Sequence, residues 1–529
     1  MQDTKDQPGM LALARRSFLK LTGVGVGMAT LMASTAGAKT SFIENYGAPS
    51  DGPSILPRPS DAYLLLNRTS FGVTSVSLAK VQEMGLSEYL EQQLDYESID
   101  TTGLENLLDF HFPYINQDPL ELGSKFPGDV IEITKQMTAA TQYRQMYSER
   151  QLYEVMVEFW TNHFNIDINN GFGPILKPKD DREVIRKHAL GNFGDLLFAS
   201  ARSPAMLFYL DNYYNVAEAP NENYARELME LHTLGVDGGY TEQDIKEVAR
   251  CFTGWSIGFP GSGPDEGKFL FYSDAHDNGE KRVLGQRIRA NGGVNDGLQV
   301  LGMLTAHPAT ANHIATKLCR YFIADEPDTA TVEEVASAFS SSNGEIKDTL
   351  RALFNSSAFR KSYDKKFTTP SQFLGRIMRI VMDASGSYPR DNGQMFNRAQ
   401  LLLGQLPFIW PSPDGYPQTQ AHWSNTGALL NRWRLSFLLA FNGGLETPEL
   451  SLDWNLLMGN ANSIEELLVT METGLLCREM LREDRENISQ WLSSLAGEAP
   501  DSSLSRDVLV QLAPALAAIL MSSAYFQMR

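Results

Sequence analysis

Residues 221–255, NENYARELMELHTLGVDGGYTEQDIKEVARCFTGW, read as two short helices joined by a glycine-rich turn. The first predicted helix runs through residues 224–234 and the second begins after Thr241. Thr241 and Asp244 stand where a capping box holds a helix start, with Asp in place of the usual Glu. Gly235 stands where the first helix should stop. On a straight first helix Glu227 and Glu230 share a face, and Arg226 lies four residues before Glu230, within pairing reach. His232 lies two residues beyond Glu230, about 200° around, so one helix cannot bring Glu227, Glu230 and His232 to one metal. So many polar groups on helices that must also bury a core point to a site. The competing reading is that Arg226 and Glu227 tie helices together through salt bridges.

The same helical punctuation extends outward. Ser203-Pro204, His307-Pro308 and Thr369-Pro370 place proline in a first helical turn, where its missing N–H costs little. Gly443 marks another helix stop. Alternating strand patterns are confined to residues 268–272 and 282–284, which could pair with each other. Residues 258–293 and 408–422 are irregular and rich in Gly or Pro. The expected fold is mostly α, a large multi-helix domain with irregular Gly/Pro-rich loops and at most a small β-hairpin.

At the N-terminus, residues 14–20, ARRSFLK, resemble a twin-arginine export motif with Ala where Ser or Thr usually precedes the arginines. A glycine-rich apolar run and Ala36-Gly37-Ala38, a small-residue cleavage site, follow. The expected organisation is a signal peptide over 1–38, a linker over 39–60 and a helical domain over 61–529, as one body or two fused lobes. The expected location is periplasmic or secreted. Residues 1–38 carry four basic and two acidic side chains, so their removal deepens the net charge from −19 to −21. Such a surface repels phosphate backbones, which excludes nucleic acid as a favoured partner. The apolar run is too short to span a bilayer, so no integral membrane segment is expected in the mature chain. Cys251, Cys319 and Cys477 allow one disulfide at most, and buried free thiols are the expected state.

Several further constellations carry chemistry. Residues 151–164 read as a second acidic helix, with Glu154 and Glu158 four apart, followed by Trp160 and His163. The Glu-x-x-His pairs of a di-metal bundle and the His-Glu-x-x-His motif are both absent. Residues 237–244 match only the second half of a calcium loop and read as a tight turn. His276 lies in the loop DAHDNG, residues 274–279, where it could serve as a base, a ligand or ordinary turn decoration. Residues 407–417 form a rigid aromatic-proline loop, with His422-Trp423 just beyond, that suits either a pocket wall or a hydrophobic plug. His163, Glu227, His232 and His276 are the expected site residues. Histidines gathered in this way would bind a divalent metal or share proton transfer, and the cofactor is left open.

Residues 66–72 (LNRTSFG), 159–164 (FWTNHF), 221–255, His276-Asp277 with Lys281 to Gly285, 411–417 (PSPDGYP) with Trp423 and Arg432, and 522–527 (SSAYFQ) together resemble the bacterial family catalogued as domain of unknown function 1800. The resemblance implies an exported protein, in a family whose genes often neighbour those of sulfatase-like proteins. It implies no activity. The expected function is an enzyme with a His/Glu pocket acting on cell-envelope or extracellular polymers. The alternative is a non-catalytic binding or assembly partner of a sulfatase-like exported protein.

Overall fold

The computed structural model describes residues 56–125, 131–259, 261–385, 393–441 and 454–529. The expected signal peptide, most of the expected linker and the helix stop at Gly443 lie outside them. From Leu56 onward the chain is one compact unit of 26 α-helices with four three-residue strands among the described residues. It is mostly α.

Local chemistry starts the helices where the sequence places them. Ser60 accepts from the Tyr63 N–H at 3.1 Å and opens Asp61–Thr69. Thr241 and Asp244 form the reciprocal box that opens Glu242–Cys251. Pro204, Pro308 and Pro370 each begin a helix. The buried apolar side chains gather in two clusters. One is centred on Gln151–His163, Glu242–Cys251 and Pro308–Phe322. The other is centred on Ile131–Tyr147, Thr426–Ala440 and Arg506–Ser522. Phe172 packs against both. Cys251, Cys319 and Cys477 are all free and buried.

Two expectations need correction. The segments read as one hairpin do not pair with each other. Phe269–Phe271 pairs antiparallel with Trp255–Ile257, and Lys281–Val283 with Gln286–Ile288, giving two separate two-stranded sheets. The Gly285 turn, at φ +76°, folds the second pair locally, which leaves the first strand to a partner upstream. The helix carrying Glu227 is also not straight. Its α-helical part, Asn223–Glu227, continues as a π-helical turn, Leu228–Thr233. There Leu234 N–H reaches the carbonyl five residues back, Met229 O, at 2.9 Å, and Thr233 Oγ1 bonds Leu228 O at 2.7 Å. The wider turn admits an extra residue and resets which side chains face inward.

Candidate functional site

The last turn of Gln151–His163 buries Phe159, Trp160 and His163. The His163 ring stands edge-on to Trp160 and Phe164, at centroid distances of 5.3 and 4.5 Å. Its Nε2 lies 3.1 Å from the carbonyl of His232. A carbonyl only accepts, so this nitrogen carries the proton and Nδ1 is left as a bare acceptor, buried and without a partner. His232, turned inward by the π-helical turn, has its ring 6.0 Å from that of His163, and its Nε2 is likewise buried and unpartnered. A third imidazole, His313 on Pro308–Phe322, lies 6.3 Å from His163 and donates from Nε2 to Leu231 O at 3.0 Å. Gly235 makes room for it. Its φ is +80°, and a side chain there would meet His313 Nδ1 at 2.8 Å.

Lys317 stands one turn beyond His313 on the same helix face. Burial and then the Lys317 charge hold the His163 imidazole well below its ordinary range. The same causes bring His232 down to about 3 and His313 to about 4. Desolvation in turn lowers Lys317 to about 8, opposed by Asp414 and reinforced by Arg320.

The outer rim is acidic and aromatic. Glu227 is half-buried, and desolvation, then Glu230, raise its carboxyl above the usual range, with Asp414 adding to the shift and Arg226 opposing it. Asp414 belongs to the aromatic-proline loop, where Trp410 Nε1 donates to its Oδ1 at 3.0 Å. Trp410 packs on Tyr416 at 4.9 Å and approaches His422 at 6.2 Å. The loop is fastened to the His163 helix end. Asn165 Nδ2 donates to Trp410 O and Ser412 O at 2.9 and 2.7 Å. Tyr209 Oη donates to Pro411 O at 2.9 Å, and Ile168 N–H to Phe408 O at 2.8 Å. Gly415, at φ +75°, lies so close to Asn162 O that no side chain fits.

The expected site residues therefore divide. His163 and His232 come together, and Glu227 lies on the rim among Glu230, Arg226 and Asp414. His276 belongs to a different network, fully buried. Its Nδ1 lies 2.8 Å from Thr253 O and its Nε2 3.2 Å from Asp296 Oδ2. Lys281 Nζ bonds the same Asp296 oxygen at 2.7 Å, and the carbonyls of Gly279, at 3.0 Å, and Asp277. Arg226 does not pair with Glu230. It is partly exposed and grips Glu242 on the next helix with two 2.8 Å bonds, with Glu222 at 3.4 Å. Among the described residues no group of three or more His, Cys, Asp or Glu side chains is placed to hold a metal ion.

The acidic pair on the His163 helix is separately satisfied. Glu154 takes three 3.1 Å bonds from Arg186. Glu158 accepts from Tyr321 Oη at 2.9 Å and from Ser371 Oγ. Burial raises the Glu158 carboxyl, and both glutamates line a small, mostly apolar cavity of about 30 Å³. The sequence reading missed His313 and Lys317. Their i,i+4 spacing behind Pro308 was the available signal, since it places an imidazole and an amine on one face.

The candidate site is thus three buried or half-buried imidazoles, His163, His232 and His313, with Glu227, Glu230 and Asp414 as the acids nearest in charge and the aromatic-proline loop fastened to the end of the His163 helix. The family model described as "Protein of unknown function (DUF1800)" matches residues 64–528, and the chain belongs to that family. No curated protein and no solved structure matches it. Among the described residues no helix is long and apolar enough to cross a membrane.

Proposed function

We propose that this protein is an exported acid–base enzyme acting on cell-envelope or extracellular polymers, with saccharides as the favoured class. The observation that carries this reading is the carboxyl of Glu227, raised by desolvation beside Asp414, which the Trp410 indole holds. A carboxyl that holds its proton more tightly than usual is suited to general-acid work, and Asp414 supplies a second carboxyl group near it. The Trp410 and Tyr416 rings provide flat apolar surface of the kind sugar rings pack against. His163 and His232 are too deeply buried to touch a polymer and serve as the floor that positions this rim. His276 takes no part.

Release of new reducing ends from a panel of bacterial wall and extracellular polysaccharides tests the reading. Glu227→Gln should lower the rate by about 10²–10⁴-fold. Wild-type activity should fall as pH rises through the raised Glu227 value, because the acid must be protonated. A variant as active as wild type would remove Glu227 from the chemistry. Export is tested by cell fractionation: changing Arg15 and Arg16 to Lys should strand the chain in the cytoplasm, and normal accumulation outside it would point to another route.

A further inference from the structure

The chain carries 64 acidic and 45 basic side chains, yet one cavity of about 300 Å³ runs against that balance. Its walls are the end of Gly173–Asp180, the π-helical turn Asp181–Arg186 that continues it, the first turn of Pro204–Tyr209 and the start of the strand Phe269–Phe271. Lys179, Arg202 and Lys268 line it. Among the described residues Lys179 makes no ion pair, and Arg202 donates only to the Phe198 carbonyl, at 3.3 Å. Lys268 comes no closer to an acid than 3.8 Å, to Asp265, and both of those side chains are more than half exposed. The acids of the wall have other partners. Asp180 is buried, and its two carboxylate oxygens accept from Lys177 Nζ at 2.5 Å and Ser203 Oγ at 2.6 Å. Glu183 shares Arg182 with Asp118, at 3.1 and 3.0 Å. The lining therefore keeps three cations to which no acid is hydrogen-bonded, in a chain of net charge −19.

We propose that this cavity binds a small phosphate or sulfate monoester. The tetrahedral head of such an ester has three free oxygens, one for each cation, where a carboxylate offers two. Like charges held close without acids repel one another, and an anion between them relieves that repulsion. A positive recess in a negative surface also fixes where an anion settles, because the rest of the surface turns it away. The cavity lies at the lower end of the range for small-molecule sites, about 300–1,000 Å³, which suits the head and one ring. Leu176, Val184 and the half-buried Phe269 supply the apolar wall for that ring. No residue is shared with the Glu227 rim or the imidazole cluster, so the assignment does not depend on the polymer reading.

Calorimetric titration of the intact protein with phenyl phosphate, phenyl sulfate and inorganic phosphate tests it, with phenyl β-glucoside as the uncharged comparison. At least one of the two esters should bind with a dissociation constant below about 1 mM, and more tightly than inorganic phosphate or the glucoside. The tighter ester names the head group. Raising the salt from about 50 to about 500 mM should weaken the binding. Lys179→Gln and Arg202→Gln should each weaken it by about five- to ten-fold, and the two combined with Lys268→Gln should abolish it. All three side chains are at least partly exposed, so the variants should melt as wild type does, and Lys80→Gln, outside the cavity, should bind as wild type does. Wild type that binds neither ester overturns the proposal without any variant. So does inorganic phosphate bound as tightly as the esters, or ester binding that survives the triple substitution.

Discussion

Two buried clusters of this protein contain a lysine and histidine, yet they are built to opposite rules. Around His276, every basic group meets an oxygen: Asp296 faces both His276 and Lys281, and backbone carbonyls take the remaining donors. Around His163 and His232, two imidazole nitrogens face nothing, and the neighbouring Lys317 has no acid bonded to it. A network whose basic groups are all paired fixes structure, here the loop between Glu242–Cys251 and Val294–Thr305, although Asp296 Oδ1 itself is buried without a partner. An unsatisfied one is held in place by the packing around it and keeps its groups neutral and available. Composition alone cannot separate the two, because residue type is the same and only the partners differ.

The largest expected effect removes the shared acid of the satisfied cluster. Asp296→Ala leaves Lys281 and His276 buried without their carboxylate and should lower stability by about 3–5 kcal/mol. Urea unfolding with an unchanged midpoint would mean that this cluster holds nothing together. A smaller effect separates the unsatisfied cluster by pH. The folded His232 value lies below the unfolded one, so its contribution is complete above about pH 6.5 and is lost as pH falls toward about 3. Each imidazole buried in this way should withdraw about 2 kcal/mol between pH 7 and pH 5. His232→Gln should therefore flatten the acid limb of the stability curve relative to wild type. Parallel limbs in the two proteins would place His232 in contact with water or with an acid.

The helical class was legible because its signals are local. Thr241 with Asp244, and the prolines at 204, 308 and 370, act within one turn of themselves. The hairpin was misread because strand pairing depends on a partner, and Trp255–Ile257 competes for Phe269–Phe271 from outside the segment considered. Arg226 was misassigned for a related reason. Helical spacing offered Glu230, but Glu242, brought close by the turn at Gly235, presents both carboxylate oxygens. At the site, sequence separated His163 from His232 by 69 residues and could only nominate them, while the π-helical turn that directs His232 inward carries no recognised spelling. His276 was nominated on the same grounds, because an acid beside a histidine reads alike whether it completes a network or leaves one open.

The three sulfurs bear on where such a chain can mature. None is bridged, all three are buried, Cys477 at the wall of a surface cavity, and burial raises the Cys251 thiol and brings Cys319 up to about 12, so neither of those two is a thiolate near neutral pH. No crosslink has to be made for the native contacts to close, and no exposed thiolate waits to be made into one. The described fold thus rests on no disulfide. It can reach its final shape in a reducing interior and keep it in an oxidising exterior, with no chemical change to the polypeptide in passing from one to the other.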